Sequence, residues 1–576
     1  MSNARLTRPR GRVSASGERT KTRRLKLQFI QVAFAGHNRK EDLGDPEEAA
    51  VGLKAAFAML AKAGVHRARL ISGLAPGADY LAAAAWSAAG LGQVHAVYPY
   101  LDLPPNAVAD LAHSATWLDG KTTEALGRNA HLAQTRWLIG VADLLVVVWT
   151  GEHARGAGGT ADAVRLALEH NIPVLWIKPG EAALRLIRPE HLDEDFGFLE
   201  FLEELRFSRA PLVRKATPAA IYSALADLGL AGELPSLEPE AEAPKPILFI
   251  PWWRAYSMFR RSLGGTAAPF KARPPPADLV AEPGFQRLTQ AYARVDMAAN
   301  SLGAMHRSHQ IILLGVAIVA TFVGSAPSLW PNTKLIMVTI ELTLAVGAFA
   351  VWLASERGRR HQRWGDLRQR AEDLRLERVA WALGVNPIRH GMNFASGRAA
   401  RHVRRLAGVP TGAFDRRRVK AWGDWALDEL IVGQAAYHRA QSLINGRVSH
   451  RVHEWENISF AAFMIVLLSY VVAAISMLAF QGSPPSWLDG LVGLAGAMAP
   501  AIGATGLALE ATLALNEQGQ RSRVLAVHLE AIVSRMSPKT NLEALQAAAK
   551  AAIRLQRAQE THWTEGTARR RLIRGG

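Results

Sequence analysis

The sequence predicts two parts of different fold class: an α/β domain with a parallel sheet near the N-terminus, and an all-α domain of four membrane spans built from two repeated helical hairpins. Three observations lead to this prediction. Short runs rich in Val, Ile and Leu alternate with helical stretches in the first third of the chain, four long apolar runs occur in the second half, and similar short motifs accompany both pairs of apolar runs.

The α/β domain is predicted over residues 28–180. Its strands are expected at 28–35, 68–71, 93–98, 143–149 and 172–177. Its helices are expected at 46–63, 78–89, 122–141 and 160–170. Strands that are apolar throughout suit a sheet covered on both faces, and their alternation with helices implies right-handed crossovers. The expected fold is therefore Rossmann-like, and residues 1–27 are expected to form a basic disordered tail before it.

Four apolar runs in the second half are each about 20 residues long, which is enough for a helix to cross the hydrocarbon core of a bilayer. The predicted spans are 311–330, 335–354, 458–480 and 490–509. Soluble helices are rarely so uniformly apolar, so membrane spans are favoured over two long buried hairpins.

Two short motifs indicate an internal duplication of the hairpin. The sequence HRSHQ at 306–310 precedes the first pair of runs, and HRVHE at 450–454 precedes the second. After the pairs come ERGRR at 356–360 and EQGQR at 517–521. Because both motifs recur in the same order, we expect two hairpin repeats, at 283–383 and 417–540.

Arginine is distributed unevenly around the predicted spans. The connectors within the hairpins, at 325–334 and 481–490, contain one Lys between them, whereas Arg is abundant at the opposite ends of the spans. Positively charged residues stay on the cytoplasmic side. We therefore expect a multi-pass protein of the inner (cytoplasmic) membrane with both termini in the cytoplasm.

The net charge of +18 fits a protein that lies beside anionic lipid. The basic tail contains nine Lys or Arg and no interleaved aromatic residues, so a nucleic-acid partner is disfavoured against the lipid bilayer. The chain has no cysteine, which excludes disulfides and thiolate chemistry.

The remaining segments are expected to connect these parts. Residues 181–232 form an acidic, partly helical extension, 384–416 an Arg-rich connector, and 541–576 a basic C-terminal helix or tail. Residues 233–282 are a linker that begins rich in Pro and Glu. Within it, 251–261 mixes aromatic and basic residues, which suits a helix lying in the membrane interface, with an irregular packing segment as the alternative.

Three glycine-bearing loops follow predicted strands and precede predicted helices. In a parallel sheet they lie at one edge, where helix N-termini offer N–H groups and partial positive charge to phosphate. The candidate ligand-binding residues are Gly36, His37, Asn38, Arg39, Ser72, Gly73, Gly77, Asp79, Arg136, Gly158, Gly159, Thr160 and Asp162. A nucleotide-derived ligand is therefore predicted. Turns that need glycine only for packing, and ordinary surface or helix-end roles for Arg39 and Arg136, are the alternatives.

Four segments in this region resemble the SLOG superfamily, the Rossmann-like group that includes the DNA-processing protein DprA and the LOG phosphoribohydrolases. They are VAFAGH at 32–37, LISGLAPGAD at 70–79, ADLLVVVW at 142–149 and GGT at 158–160. A SLOG domain followed by membrane hairpins is similar to the SLATT effectors of bacterial conflict systems, although the duplicated hairpin departs from the usual single one. The resemblance implies a nucleotide-sensing domain joined to a membrane effector.

The sequence can be compared residue by residue with the motif of the LOG enzymes, to judge whether the chain has enzymatic activity. LOG enzymes carry a Glu after their Gly-Thr that assists departure of the base, and alignment on Gly159 and Thr160 places Ala163 at that position. Asp162 is one residue too early and could instead contact a ribose hydroxyl. No catalytic residue is assigned, and binding without turnover is favoured over hydrolysis.

Within the spans, Glu341 is costly if it faces lipid and is expected to face a pore or a basic partner. Glu510 lies at the end of the fourth span, where Gly493 and Pro500 suit close helix contact or a gating bend. These four residues are the candidate pore residues. The paired histidines of the two His motifs could bind a metal, but interfacial residues inherited by duplication are favoured, and no metal is assigned.

The expected function is ligand-gated membrane perturbation by a homo-oligomer, with no certain cofactor. A membrane-tethered nucleotide N-glycosidase or hydrolase is one alternative. A constitutive channel or transporter with a purely structural α/β domain is the other.

Overall fold

A nine-stranded mixed sheet forms the N-terminal part of the computed structural model. The structure describes residues 26–37, 44–100, 109–118, 127–154, 156–189, 197–206, 212–232, 251–265, 273–357, 359–386, 397–479, 485–535 and 541–574. The strands are β1 Ile30–Gly36, β2 Ala68–Ser72, β3 Gly92–Tyr98, β4 Ser114–Leu118, β5 Leu144–Val148, β6 Val174–Ile177, β7 Arg185–Ile187, β8 Val213–Lys215 and β9 Gly412–Phe414. Their spatial order is β8-β7-β6-β5-β1-β2-β3-β4-β9.

The five predicted strands are confirmed as β1, β2, β3, β5 and β6, which pair in parallel. The parallel sheet predicted over residues 28–180 is extended at one edge by β7 and β8, which pair antiparallel and make the whole sheet mixed. The short connection from β6 to β7 allows hairpin-like pairing, whereas the connection from β7 to β8 is long and contains the helix Phe198–Arg206. The strands β4 and β9 extend the other edge in parallel and were not predicted.

Helices cover both faces of the sheet. Those of the N-terminal part are α1 Pro46–Lys62, α2 Ala78–Ala89, α3 Gly127–Val141, α4 Thr160–Glu169, α5 Phe198–Arg206 and α6 Pro218–Asp227. Helices α1, α2 and α6 share one hydrophobic core with one face of the sheet. Helices α3, α4 and α5 lie in the core on the other face.

The C-terminal part is helical and contains two copies of a three-helix arrangement. Its helices are α7 Ala255–Ser262, α8 Ala277–Ala281, α9 Pro283–Ser325, α10 Lys334–Arg357, α11 Arg360–Ala382, α12 Arg398–Ala407, α13 Arg416–Leu427, α14 Gly433–Ala479, α15 Ser486–Leu513, α16 Leu515–Ser534 and α17 Leu542–Arg574. In each copy a long helix is followed by a hairpin partner and then by a helix that packs back on the long one, as α9-α10-α11 and α14-α15-α16.

A left-handed residue immediately precedes the third helix of each copy: Arg359 with φ 45° and Ala514 with φ 49°. The repeated arrangement agrees with the duplication, but the ExGxR match does not mark equivalent positions. Its first copy straddles the break between α10 and α11, while its second copy lies inside α16. The motif therefore does not form the break between the second and third helices in both copies.

Four helices are long and apolar enough to cross a membrane, with mean hydropathies of 2.1, 2.0, 2.5 and 1.6 in windows of α9, α10, α14 and α15. Helix α15 packs against both α9 and α14, and α10 packs on α9. On α10, Leu335, Leu342 and Phe349 are 82%, 64% and 59% exposed. This face has the composition expected of a surface that meets lipid or a second copy of the chain.

The α/β part and the membrane-proximal helices share one hydrophobic core. It runs from Val147 and Trp137 through Trp381 and Trp425 to Ile553. The strand β9, which lies in the predicted Arg-rich connector, pairs with β4. The connector is therefore partly an integral piece of the sheet. Residues of α11, α12, α13 and α17 lie in the same hydrophobic core as the α/β part. These four helices are called the stem below.

The expected orientation can be tested because the chain has no cysteine of its own. Single cysteines at Asn332 and Ser486, both exposed in the structure, should react with an impermeant thiol reagent in intact cells. A cysteine at Ser534, exposed at the end of α16, should react only after lysis. The opposite labelling pattern would refute cytoplasmic termini.

Candidate ligand site at the carboxyl edge of the sheet

The direction of the chain across the sheet reverses between β1 and β5. From β1 the chain proceeds to β2 and β3 on one side, while β5 and β6 lie on the other. In open α/β sheets, the loops at the carboxyl ends of the two strands diverge at such a point and leave a crevice. The three predicted glycine loops follow β1, β2 and β5 and therefore all meet here.

His37 connects the three loops. Its main-chain oxygen accepts the N–H of Ala78 at 3.2 Å, joining the first loop to the start of α2. Its Nε2 accepts the N–H of Thr150 at 3.2 Å, joining the first loop to the third. The structure thus brings together the loops that the sequence predicted to converge. Asn38 and Arg39 lie outside the described residues.

Asp79 points into the protein and holds two of the loops. Its carboxylate accepts the hydroxyl of Ser72 at 2.9 Å and main-chain hydrogen bonds from Ala75, Gly73 and Gly36. Asp79 is only 7% exposed. The side chain therefore occupies the place that an anion would take among these N–H groups, and it organises the loops from below.

Burial raises the pKa of Asp79 from 3.8 to about 7, because desolvation of the carboxylate outweighs the hydrogen bonds that favour its charged form. A group whose pKa is higher in the folded than in the unfolded state stabilises the fold when it is protonated. This stabilisation is fully present below the unfolded pKa of 3.8 and is lost as pH rises through about 7.

We expect Asp79→Asn to remove a pH dependence of folding stability. The melting temperature of the parent should fall, relative to that of the variant, between about pH 4 and about pH 7, because only the parent must bury a charge at the higher pH. Asp110→Asn, at an exposed position, serves as the matched control. Parallel pH profiles for the parent and Asp79→Asn would contradict the assignment.

The third loop is closed by its own hydrogen bonds. Asp162 accepts the N–H of Gly158 at 2.9 Å, and Gly159 donates its N–H to the oxygen of Gly156 at 3.2 Å. Gly159 is the N-cap residue of α4, and Thr160 is buried at its first position. Asp162 thus stabilises the turn, and the N-terminus of α4 faces the crevice next to the partly exposed Gly158 and Gly159.

Helix α3 packs against the third loop through Gly158. The φ of Gly158 is +83°, and a Cβ at this position would stand 2.3 Å from the carbonyl carbon of His131. Thr135 donates its hydroxyl to the oxygen of Gly158 at 2.8 Å. Only glycine allows this approach of the two backbones, so the loop and the helix are in direct contact.

Three polar side chains at this edge were missed by the sequence prediction. Gln134 donates to a main-chain oxygen at the end of β3 at 2.6 Å. His131 and Tyr100 contact each other, with 5.6 Å between ring centroids. Tyr100 follows β3, and a position just after a strand was the available signal. His131 and Gln134 carry no such signal, because they lie on a helix.

Arg136 faces away from the loops. It forms an ion pair with Glu543 of α17, so its described contact is with the stem. The structure does not bring it together with the candidate ligand loops. Ala163, the position of the LOG glutamate, is 2% exposed within α4.

Among the candidate pore residues, Glu341 packs against α9 at Gly324, where a Cβ would stand 2.7 Å from its carboxyl oxygens. Within the described chain no Lys or Arg lies within 4.0 Å of Glu341. Glu510 accepts the Ser449 hydroxyl at 3.2 Å and the Asn516 N–H at 2.8 Å, and so holds the break between α15 and α16.

The other two candidates lie on α15. Gly493 faces Ser328, whose hydroxyl donates to the oxygen of Gly490 at 3.0 Å and joins the connector ends of the two hairpins. Pro500 lies inside α15, where a missing N–H permits a bend.

The two histidine pairs have different neighbours. His306 contacts His361 at 3.2 Å, and His309 stacks on Trp252 at 4.4 Å. In the second copy, His450 pairs with Glu454 and His453 with Glu456. Among the described residues, no group of three or more His, Asp or Glu has the geometry of a metal site.

Comparison of the chain with family models, with curated proteins and with solved structures finds no significant match. The geometry and chemistry of the described residues therefore carry the functional proposal.

Proposed function

We propose that the protein is a membrane effector in which a nucleotide-derived ligand binds the α/β part and gates pore formation or membrane disruption by an oligomer. The SLOG-like and SLATT-like features of the sequence suggest a role in bacterial conflict defence as part of this proposal. The observation that carries it is the position of helix α3, which contacts both the candidate ligand loops and the stem.

The N-terminal half of α3 supports the ligand loops through His131 and Thr135, as described above. Its C-terminal half meets the strand β9 and the stem. Trp137 packs edge-on against Phe414 of β9, with 4.8 Å between ring centroids. Arg404 of α12 donates to the oxygen of Gly140 at 2.9 Å. If a ligand displaced the third loop, helix α3 would therefore transmit this displacement to the stem.

Ligand gating requires that the ligand bind the active arrangement more tightly than the resting one. The closed third loop fits a resting state, because Asp162 and the oxygen of Gly156 accept the N–H groups of Gly158 and Gly159. A phosphate that took these N–H groups would have to open the loop. Since Gly158 packs on α3, opening would move or release that helix.

The proposal is tested with the full chain reconstituted in bilayers, using nucleotides, cyclic dinucleotides and ADP-ribose as probes. At least one should evoke a current. Gly159→Glu should weaken its binding on the order of 100-fold, since like charges about 4 Å apart near a protein surface repel by up to about 4 kcal/mol. Gly159→Gln is the matched control, because it adds similar bulk without the charge.

Glu341→Gln separates the membrane step from the binding step. It should leave ligand affinity unchanged and alter the current, because it removes a charge from a span far in sequence from the loops. Consumption of a nucleotide that survives Glu341→Gln, without ligand-dependent current, would favour the tethered hydrolase. A current that no probe changes would favour the constitutive channel.

A further inference from the structure

A cavity of about 500 Å³ lies where α7 packs on α9. Four arginines line it, Arg254, Arg260, Arg261 and Arg307, together with the aromatic side chains of Trp253 and Tyr256. None of the described lining residues is acidic. Its volume falls in the range of sites for small molecules, and its charge suits an anion.

Two of the four arginines are half-buried and two are exposed. Arg404 and Arg405 of the stem pair with Glu377 and Asp143. The cavity arginines have no carboxylate within 4.0 Å in the part of the chain that the structure describes. Like charges gathered without a counter-charge repel one another, and a bound anion would relieve this repulsion.

The cavity is built by hydrogen bonds that fix its walls. Ser308 of α9 donates its hydroxyl to the oxygen of Trp253 at 2.6 Å and accepts the N–H of Tyr256 at 3.1 Å, clamping α7 onto α9. Arg260 donates through Nε to the oxygen of Gly265 at 3.0 Å. The guanidinium of Arg307 lies 5.0 Å from the Tyr256 ring centroid, which orients it by a cation–π contact.

The cavity lies at the position along α9 where the headgroup layer of a bilayer is expected. Arg307 precedes Ile311, the first residue of the predicted span, by four residues, or about 6 Å along a helix. Tryptophans are enriched at this level, and Trp252 stacks on His309 there. On α7, Met258 is 65% exposed, as expected for a side chain that enters the interface.

We propose that this cavity binds the phosphate of an anionic phospholipid headgroup. Arginine is suited to phosphate because its fork of N–H groups binds two oxygens at once. The proposal rests on the membrane placement of the spans, but not on nucleotide binding by the α/β part.

Binding of a headgroup in the cavity would affect the packing of both hairpins. Leu263, at the end of α7, packs in one cluster with Val448 of α14 and Leu509 of α15. The segment that closes the cavity therefore also lies between the two repeats. A bound headgroup would strengthen the packing of α7 on α9 and with it the contact between the hairpins.

The test uses the full chain in nanodiscs of phosphatidylcholine, with and without phosphatidylglycerol. Phosphatidylglycerol should raise the melting temperature of the parent and of Arg447→Gln, which removes an exposed charge from α14 outside the cavity. In the double variant Arg260→Gln, Arg307→Gln, the affinity for phosphatidylglycerol should fall roughly tenfold or more, and the shift should be lost.

Two further arms keep the outcome decisive. If the double variant fails to fold, Arg254→Gln is used in its place, because it changes an exposed lining residue. Native mass spectrometry should then find less phosphatidylglycerol retained on the Arg254→Gln protein than on the Arg447→Gln protein. Equal retention, or equal melting shifts in cavity and control variants, would overturn the proposal. A shift with inorganic phosphate in phosphatidylcholine discs, and none with phosphatidylglycerol, would also overturn it and assign the cavity to a soluble anion.

Discussion

Glu377→Gln is expected to destabilise the protein by about 3–5 kcal/mol, because it removes the negative member of a buried ionic network. Glu377 is 0% exposed and lies 3.1 Å from Arg404 and 3.0 Å from Arg557. Glutamine keeps the shape but removes the negative charge that both arginines contact, although Asp373 still lies 3.6 Å from Arg557. Since domains are stable by only about 5–15 kcal/mol, the loss is large and should appear as a lower midpoint of denaturant unfolding.

The pH dependence of this effect has a definite sign. Burial by itself raises the pKa of Glu377, but the charges of Arg404, Arg557 and Arg401 outweigh it, so the net pKa is lowered. A carboxyl whose pKa is lowered stabilises the fold above its unfolded pKa, and this contribution is lost in acid. The difference between parent and Glu377→Gln should therefore shrink as the pH falls below about 4.5.

Glu530→Gln is the control for this prediction. Glu530 pairs with Arg439, whose side chain is 65% exposed, and an exposed pair contributes only about 0–1 kcal/mol. Equal effects of the two substitutions would show that the network around Glu377 does not hold the stem together.

The elements with strong local patterns were predictable. The strands β1, β2, β3, β5 and β6 and the four apolar helices stand out because each segment is rich in apolar residues. The strand β9 does not, because three residues of sequence GAF gain strand geometry only when the stem places them beside β4. Its formation is a tertiary effect that no local pattern records.

The stem was hard to predict for a related reason. Helix α11 is rich in charge, and such a helix is ordinarily solvent-exposed. In the structure its residues from Asp373 to Ala382 are buried, because Arg404 and Arg557 supply partners from helices distant in sequence. Periodicity predicts the helix but cannot predict that its charges are paired.

The candidate site was predictable in its backbone and less so in its side chains. The three loops converge, because the carboxyl ends of neighbouring parallel strands must share an edge. Asp79 and Asp162 are predicted to contact the ligand, and in the structure both accept main-chain N–H groups of the loops themselves. A short acidic side chain beside a glycine loop is suited to either role, and the local sequence does not distinguish them.

Gly140→Ala is expected to uncouple the ligand site from the spans. A Cβ at Gly140 would stand 2.1 Å from the main-chain oxygen of Gly384, and because the neighbour is backbone, the whole contact between α3 and the stem must shift. Overpacking of this kind costs about 1–3 kcal/mol. The loops near His131 are about two and a half turns away along α3, so ligand binding should persist while ligand-dependent current is strongly reduced.

Gly446→Ala is the matched control, because a Cβ at this helical position of α14 meets nothing within 4 Å. Alanine in a helix interior is favoured over glycine by about 1 kcal/mol, so this variant should be at least as stable as the parent and should keep its current. Binding is measured by calorimetry and current in planar bilayers on the same preparations. If Gly140→Ala binds ligand and conducts like Gly446→Ala, helix α3 is not the route by which the α/β part controls the spans, since the contact it makes with the stem would then be dispensable.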